Sequence, residues 1–372
     1  MRGRTVGIVC NPASVDARWR HVTERAEAAG VRIGAIFGPQ HGFRSDVQDN
    51  MIETPHAKDG RRNVPIYSLY SDTREPDADM LAGLDAIVIE LQDVGTRIYT
   101  YTYTMANCLK AARRYGLPVV VCDRPNPIGG VAVEGPVLDE RFTSFVGQYP
   151  IPMRHGMTIG ELARLFNDHF GIGANLEVMK MTGWSRSAYF DQTGLSWVLP
   201  SPNLPTLDST VVYPGTVLVE GTNVSEGRGT TRPFELIGAP WVNPESFAAD
   251  LNARGLPGVH FRPTAFEPTF HKHAKTTCGG CQLHVTDRVT FRPVETGVTL
   301  IEAFRNAGPD RFQWREPPYE YEHTKQPIDV LYGSAALREG LDHGVQAVDL
   351  ARAWATPLKQ FLAVREKFLL YD

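Results

Sequence analysis

The amino-acid sequence predicts an α/β protein: a parallel sheet with helices on both faces, plus a smaller C-terminal α+β domain. Three observations carry that expectation. Through the first half, strand-like runs nearly continuous in Val and Ile alternate with amphipathic helical stretches, the pattern of strands covered on both faces. Between about 195 and 240 the chain turns to Gly, Pro, Ser, Thr and Asn, and a shorter mixed pattern follows. The length, 372 residues, is that of two domains at about 150 residues each. The expected division is 1–240 and 241–372.

The elements follow in order. Strand-like runs are Thr5–Asn11, Val31–Pro39, Val64–Tyr70, Ala86–Asp93 and Pro118–Asp123. A helix is expected over Asp16–Ala29 and a clearer one over Tyr103–Tyr115, where Met105, Cys108, Leu109, Ala112 and Tyr115 recur at helical spacing. Thr158 with Glu161 three residues on is a capping-box signature, and Leu162, Leu165, Phe166 and Phe170 supply the stripe behind it. Leu176–Met181 reads as a strand. The stretch from 195 to 240 holds Trp197, Val217, Leu218, Val219, Phe234 and Leu236, too apolar for a linker, so an ordered loop lining a site is expected. Beyond it, Pro244–Arg254 and Thr299–Asn306 read as helices and Gly258–Phe261 and Gln282–Thr286 as strands. The tail, Gly344–Leu370, reads as helix broken at Pro357.

Composition excludes several classes. With 38 Lys and Arg against 42 Asp and Glu, a net charge of −4 gives no basic surface for nucleic acid or a membrane. No apolar run approaches the ~18 residues of a membrane span, and the apolar run Val6–Cys10 is short for a secretory signal, so a cytoplasmic protein is expected, or a secreted one if the N-terminus was trimmed. Five scattered cysteines make no disulfide framework. Cys278 and Cys281 form a CGGC pair near His271, His273 and His284; a zinc site would want a second CxxC, which is missing, and a Gly-rich turn entering a strand competes with it. The loop after the first strand, CNPASVD, lacks the glycines of a dinucleotide turn, and neither a phosphate-binding GxxxxGK[ST] loop nor a GxSxG elbow occurs.

Ligands of open parallel sheets bind beyond the carboxyl ends of the strands, and there the sequence gathers polar groups. The second strand ends in Gln40, His41, Arg44 and Asp46; the fourth in Glu90, Gln92, Asp93, Arg97 and Tyr99; the fifth in Asp123, Arg124 and Asn126. The Gly-rich segment adds Glu220, Glu226 and Glu235 with Arg228 and Arg232. Carboxylates with aromatic neighbours (Tyr99, Tyr101, Trp184, Trp197, Trp241) suit glycoside hydrolysis, with one acid on the leaving oxygen and a second carboxylate acting on water or the anomeric carbon. Substrate-assisted attack by a 2-acetamido group is a third route.

The segments QDVGTRIYTY, CDRPNP, EGP, PIPMRHGMTIGELA, PSPN and YPGTVLVEGTNVSEGRGTTRPFELIGAPW resemble the exo-β-N-acetylmuramidase family, in order and over nearly the whole chain. The resemblance implies a Rossmann-like N-terminal domain, a smaller C-terminal one, a site in the cleft between them, and release of terminal N-acetylmuramic acid without metal or nucleotide. Many members carry a glutamate in a PEHG motif; this chain has GPQHG, with Gln40, and an amide cannot deliver a proton as an acid does. Glu90 and Asp93 are the expected replacements, then Glu226. Arg97, Arg228 or Arg232 would hold the lactyl carboxylate, and Asn126, Asn203 and Asn223 the sugar hydroxyls or acetamide. A binding protein without turnover, a glycosidase for another amino sugar, and a zinc enzyme are the competing readings. Cys281, where the family suggests an apolar residue, favours a chance CGGC.

Overall fold

The computed structural model describes residues 1–49 and 51–372. Its larger sheet holds β1 (Thr5–Val9), β2 (Arg32–Gly38), β3 (Ala57–Asp59), β4 (Val64–Ser68), β5 (Ala86–Ile89) and β6 (Val119–Cys122). A two-stranded ribbon follows, β7 (Glu134–Val137) and β8 (Pro152–Arg154), then β9 (Leu176–Met179) returns to the sheet. The order is β3-β4-β2-β1-β5-β6-β9, parallel except for the short edge strand β3. The six parallel strands thus run 3-2-1-4-5-6 in chain order, the Rossmann order, with the reversal between β1 and β5. Both faces are buried: Val6, Ile8 and Ile36 pack in one cluster, while Val9, Phe37, Ile87 and Ile89 pack in another.

Helix Tyr101–Tyr115 covers one face and stops at Gly116 in the left-handed region (φ 74°); Tyr115, expected on its buried stripe, is exposed. The Thr158–Glu161 capping box forms and opens helix Ile159–Arg164, which runs into a π-helical turn, Leu165–His169. The expected helix over 16–29 shrinks to Val22–Ala28. Asp16 accepts bonds from the backbone of Arg18 and Arg20, so a side chain competes with the helix for those amides.

The stretch expected as loop contains helix Leu207–Thr216, capped by Thr206 and with Pro214 inside it. Packing overrides local composition: Gly215 meets Gly297 of helix Pro293–Ala307, where an added Cβ would lie 1.7 Å from the Pro293 carbonyl oxygen. The smaller sheet is antiparallel, β10 (Leu236–Ala239), β11 (Val259–Phe266) and β12 (Cys278–Val285), in the order β10-β12-β11. It therefore draws in residues ahead of 240. Helix Pro244–Ala253 packs on it. In the tail Pro357 lies in the first turn of helix Ala355–Arg365, where its missing N–H costs little. The break falls ahead of it, after helix Ala347–Arg352.

The two units interlock. Arg97, fully buried, donates to the carbonyls of Pro136 and Ile151 on one side and of Leu331 and Tyr332 on the other, at 2.7–3.0 Å. The C-terminal residues return to the larger sheet, where Tyr371 donates to Asp123 at 2.7 Å. Among the described residues no helix is long and apolar enough to cross a membrane.

Candidate active site

Residues of QDVGTRIYTY, PSPN and the run Tyr213–Trp241 meet Gln40 and His41 in the cleft between the units. Gln40 lies just past β2, Tyr70 just past β4, and Thr100 caps the helix at 101–115. Facing them are Glu220 from a 3₁₀ turn, Arg228 from the Gly-rich loop, and Tyr319 and Glu320 from a loop of the smaller unit. Glu320 and Tyr321 both have positive φ (45° and 66°), a costly conformation for such side chains. Gly227 and Gly229, at φ 80°, make the turns that aim Arg228 inward.

Hydrogen bonds tie these groups into two clusters, one around Glu320 and one around Glu220. Thr100 Oγ1 donates to Gln40 Oε1 at 2.7 Å, which turns the amide so that Nε2 donates to Glu320 Oε1 at 3.2 Å. Tyr70 donates to Glu320 Oε2 at 2.8 Å. Glu220 accepts from Arg228 Nη1 at 2.6 Å and from the Tyr319 hydroxyl at 2.7 Å. Burial, helped by the charge of Glu220 and opposed by the Tyr70 bond, pushes the Glu320 carboxyl up to about 7. Two carboxylates therefore face one cleft in different settings, one held by a guanidinium and one poised to carry a proton near neutrality.

His41, at φ 69°, donates from Nδ1 to the Val47 carbonyl at 2.8 Å, leaving Nε2 as an acceptor. Burial pushes it down to about 4, so it is neutral at pH 7. Tyr99 lines the cleft with its ring 4.6 Å from that of Tyr101. Asn203 lines it too, donating to the Gln48 carbonyl at 2.8 Å.

Several expected site residues are placed elsewhere. Arg97 spends both terminal nitrogens on the four carbonyls above and lies fully buried, outside the lining of the cleft. Arg232 pairs with Glu235 outside the cleft. Asn126 is buried, bonding Met157 and Ile128, and Asn223 fastens the backbone of Arg311 and Gln313. Asp93 is buried against the Gly95 amide and 3.3 Å from His155 Nε2. Glu226 is fully buried; burial would raise its carboxyl, but Lys272, His271 and Arg228 around it hold it well below the usual range, which suits an anchor and not an acid. Asp123 accepts from Thr158, Gly160 and Tyr371 and so fixes the helix at 159 and the tail. Cys278 and Cys281, three apart on β12, point to opposite faces and cannot share an ion.

Glu90 and Arg124 pair with each other in a different cavity. That crevice, at the strand-order reversal, measures about 450 Å³ against about 40 Å³ for the inter-unit cleft, and they share no lining residue. Size favours the crevice; the convergence of motif residues and the paired carboxylates favour the cleft as the reaction site. Glu320, Tyr70, Thr100 and Tyr319 were missed from the sequence. The run PPYEYE carries two of them, and a Tyr-flanked glutamate beyond a Pro pair was its signal.

Family models described as "Exo-beta-N-acetylmuramidase NamZ" match at residues 6–208 for the N-terminal part and 211–371 for the C-terminal part. The chain is 45% identical over 372 residues to the peptidoglycan beta-N-acetylmuramidase NamZ of Bacillus subtilis (strain 168), covering all of this chain and 88% of that protein. Crystal structures of two DUF1343 family proteins from Bacteroides fragilis NCTC 9343 superpose over the full chain. One has a TM-score of 0.90 at 33% identity and 95% coverage of its chain, the other 0.76 at 26% and 94%.

Proposed function

The chain belongs to the NamZ family of exo-β-N-acetylmuramidases, and from that premise we propose that it is a glycoside hydrolase of peptidoglycan that releases terminal N-acetylmuramic acid in the inter-unit cleft. The observation that carries the mechanism is Glu320 hydrogen-bonded to Gln40. The carboxyl missing from the GPQHG motif is supplied from across the cleft. Glu320, protonated in substantial part at neutral pH, gives its proton to the glycosidic oxygen. Gln40 and Tyr70 position it. Glu220, paired with Arg228, acts on water or stabilises the positive charge that grows at the anomeric carbon. Arg228 is the arginine of the three candidates that lines the cleft, and it takes the lactyl carboxylate; His41, Tyr99 and Asn203 contact the sugar.

Hydrolysis of a chromogenic N-acetylmuraminide tests the reading, with wild type active and Glu320→Gln inactive. An inert wild type that binds the saccharide in a calorimeter selects instead the non-catalytic reading favoured by the amide at position 40.

A further inference from the structure

The crevice at the reversal between β1 and β5 is unused by this mechanism, and its walls have a definite chemistry. Its floor is Glu90, 8% exposed, whose Oε2 has no hydrogen-bond partner among the described residues. Beside it Arg124 commits Nε to Gln92 and Nη1 to Val15 and Glu90, so Nη2 remains. One wall is the segment Ser14–Arg25 after β1; the other is Met181–Leu195 after β9, with Trp184 on it. The indole Nε1 of Trp184 is likewise buried without a partner. Thr182 and Gln192 line the same cavity, and Thr182 is exposed.

The same geometry excludes a phosphate ligand. The segment Cys10–Asp16 has no glycine to bring backbone close to one. The helix after β1 has only seven residues; its Val22 amide is spent on the Ser14 carbonyl and its start is capped by His21. The arginines are matched by Asp16, Glu90 and Asp123, so no positive field is left for an anion.

A carboxylate oxygen seeking a donor, a guanidinium nitrogen seeking an acceptor and an indole wall suit neighbouring hydroxyls on a ring with an apolar face. The volume, about 450 Å³, is within the range of small-molecule sites. We propose that this crevice is a second, non-catalytic binding site for the pyranose ring of an uncharged sugar, with Glu90 and Arg124 on adjacent hydroxyls and Trp184 against the ring. This does not depend on the hydrolytic reading of the cleft.

The test titrates the full-length protein with N-acetylglucosamine by calorimetry and saturation-transfer NMR, using Glu320→Gln to silence turnover. Saturable binding should persist in Glu320→Gln. Glu90→Gln should weaken it by about tenfold or more. Thr182→Trp, a change at an exposed position that fills the cavity from its rim, should abolish it while leaving hydrolysis of a small chromogenic muraminide within about twofold of wild type. Unchanged thermal melting of both variants shows that they are folded. No saturation at about 50 mM sugar, binding indifferent to Glu90→Gln and Thr182→Trp, or preferential binding of ADP in the same site would overturn the proposal. So would binding that disappears in Glu320→Gln but survives Thr182→Trp, since that places the sugar in the cleft.

Discussion

Replacing Glu320 by Gln separates its two consequences, one kinetic and one thermodynamic. The amide keeps the size of the side chain and can still accept from Tyr70, but carries no transferable proton. Loss of general acid catalysis lowers kcat by about 10²–10⁴-fold. The stability effect follows from burial. Below pH 4.5, the ordinary value, Glu320 is protonated folded and unfolded alike. Between 4.5 and about 7 the folded chain holds a proton that the unfolded chain has released, and above about 7 it buries a charge. Stability present below pH 4.5 is thus lost as pH rises through 7, and at 1.36 kcal/mol per pH unit the loss is about 3 kcal/mol. Glu320→Gln removes that component, so the variant gains on wild type by up to about 3 kcal/mol between pH 5 and pH 8. Glu134 and Asp123, raised by burial to about 7 and about 6, add a slope of the same sign in both proteins, so Glu320→Gln makes the total slope shallower without abolishing it. Denaturant unfolding at pH 5 and pH 8 reads the slope, and muraminide hydrolysis reads kcat. A variant within threefold of wild-type kcat, or one with the wild-type pH slope of stability, refutes the assignment of the acid.

Gln40→Glu places a second carboxyl 3.2 Å from Glu320. Two charges there repel by about 5 kcal/mol at an effective dielectric of 20, so the pair holds a shared proton and the alkaline limb of the pH–rate profile moves upward. Arg97→Met deprives four buried carbonyls of their donor; a stability loss of about 3 kcal/mol or more is expected, with KM of the folded fraction unchanged, which calorimetry and kinetics together check. Glu226→Gln leaves Arg228, Lys272 and His271 buried around a neutral group and lowers the melting temperature strongly, by about 3–5 kcal/mol in stability.

The sheet was legible because its strands carry the signal in themselves. Val6–Val9, Ile87–Ile89 and Val119–Val121 are buried on both sides and read as apolar runs wherever they pair. Helix Leu207–Thr216 was not, because its stability comes from a glycine-to-glycine contact with a segment eighty residues on, which no local pattern encodes. The site divides in the same way. Gln40, Tyr99, Asn203 and Arg228 sit in conspicuous polar or Gly-rich motifs and do reach the cleft. Arg97 and Asp93 sit in equally conspicuous ones, yet their partners are backbone carbonyls and a buried histidine, so motif density reported architecture there. Glu320 was hidden for the opposite reason: its significance comes from Gln40, 280 positions away.

That separation along the chain has a consequence for biosynthesis. By residue 179 the ribosome has delivered every strand of the larger sheet, and that half has the means to begin folding while translation continues. What it lacks until residue 320 is delivered is the proposed proton donor. A glycosidase arranged this way stays inert as a nascent chain, and a product truncated before residue 320 would present the sugar-facing wall with nothing opposite to cut.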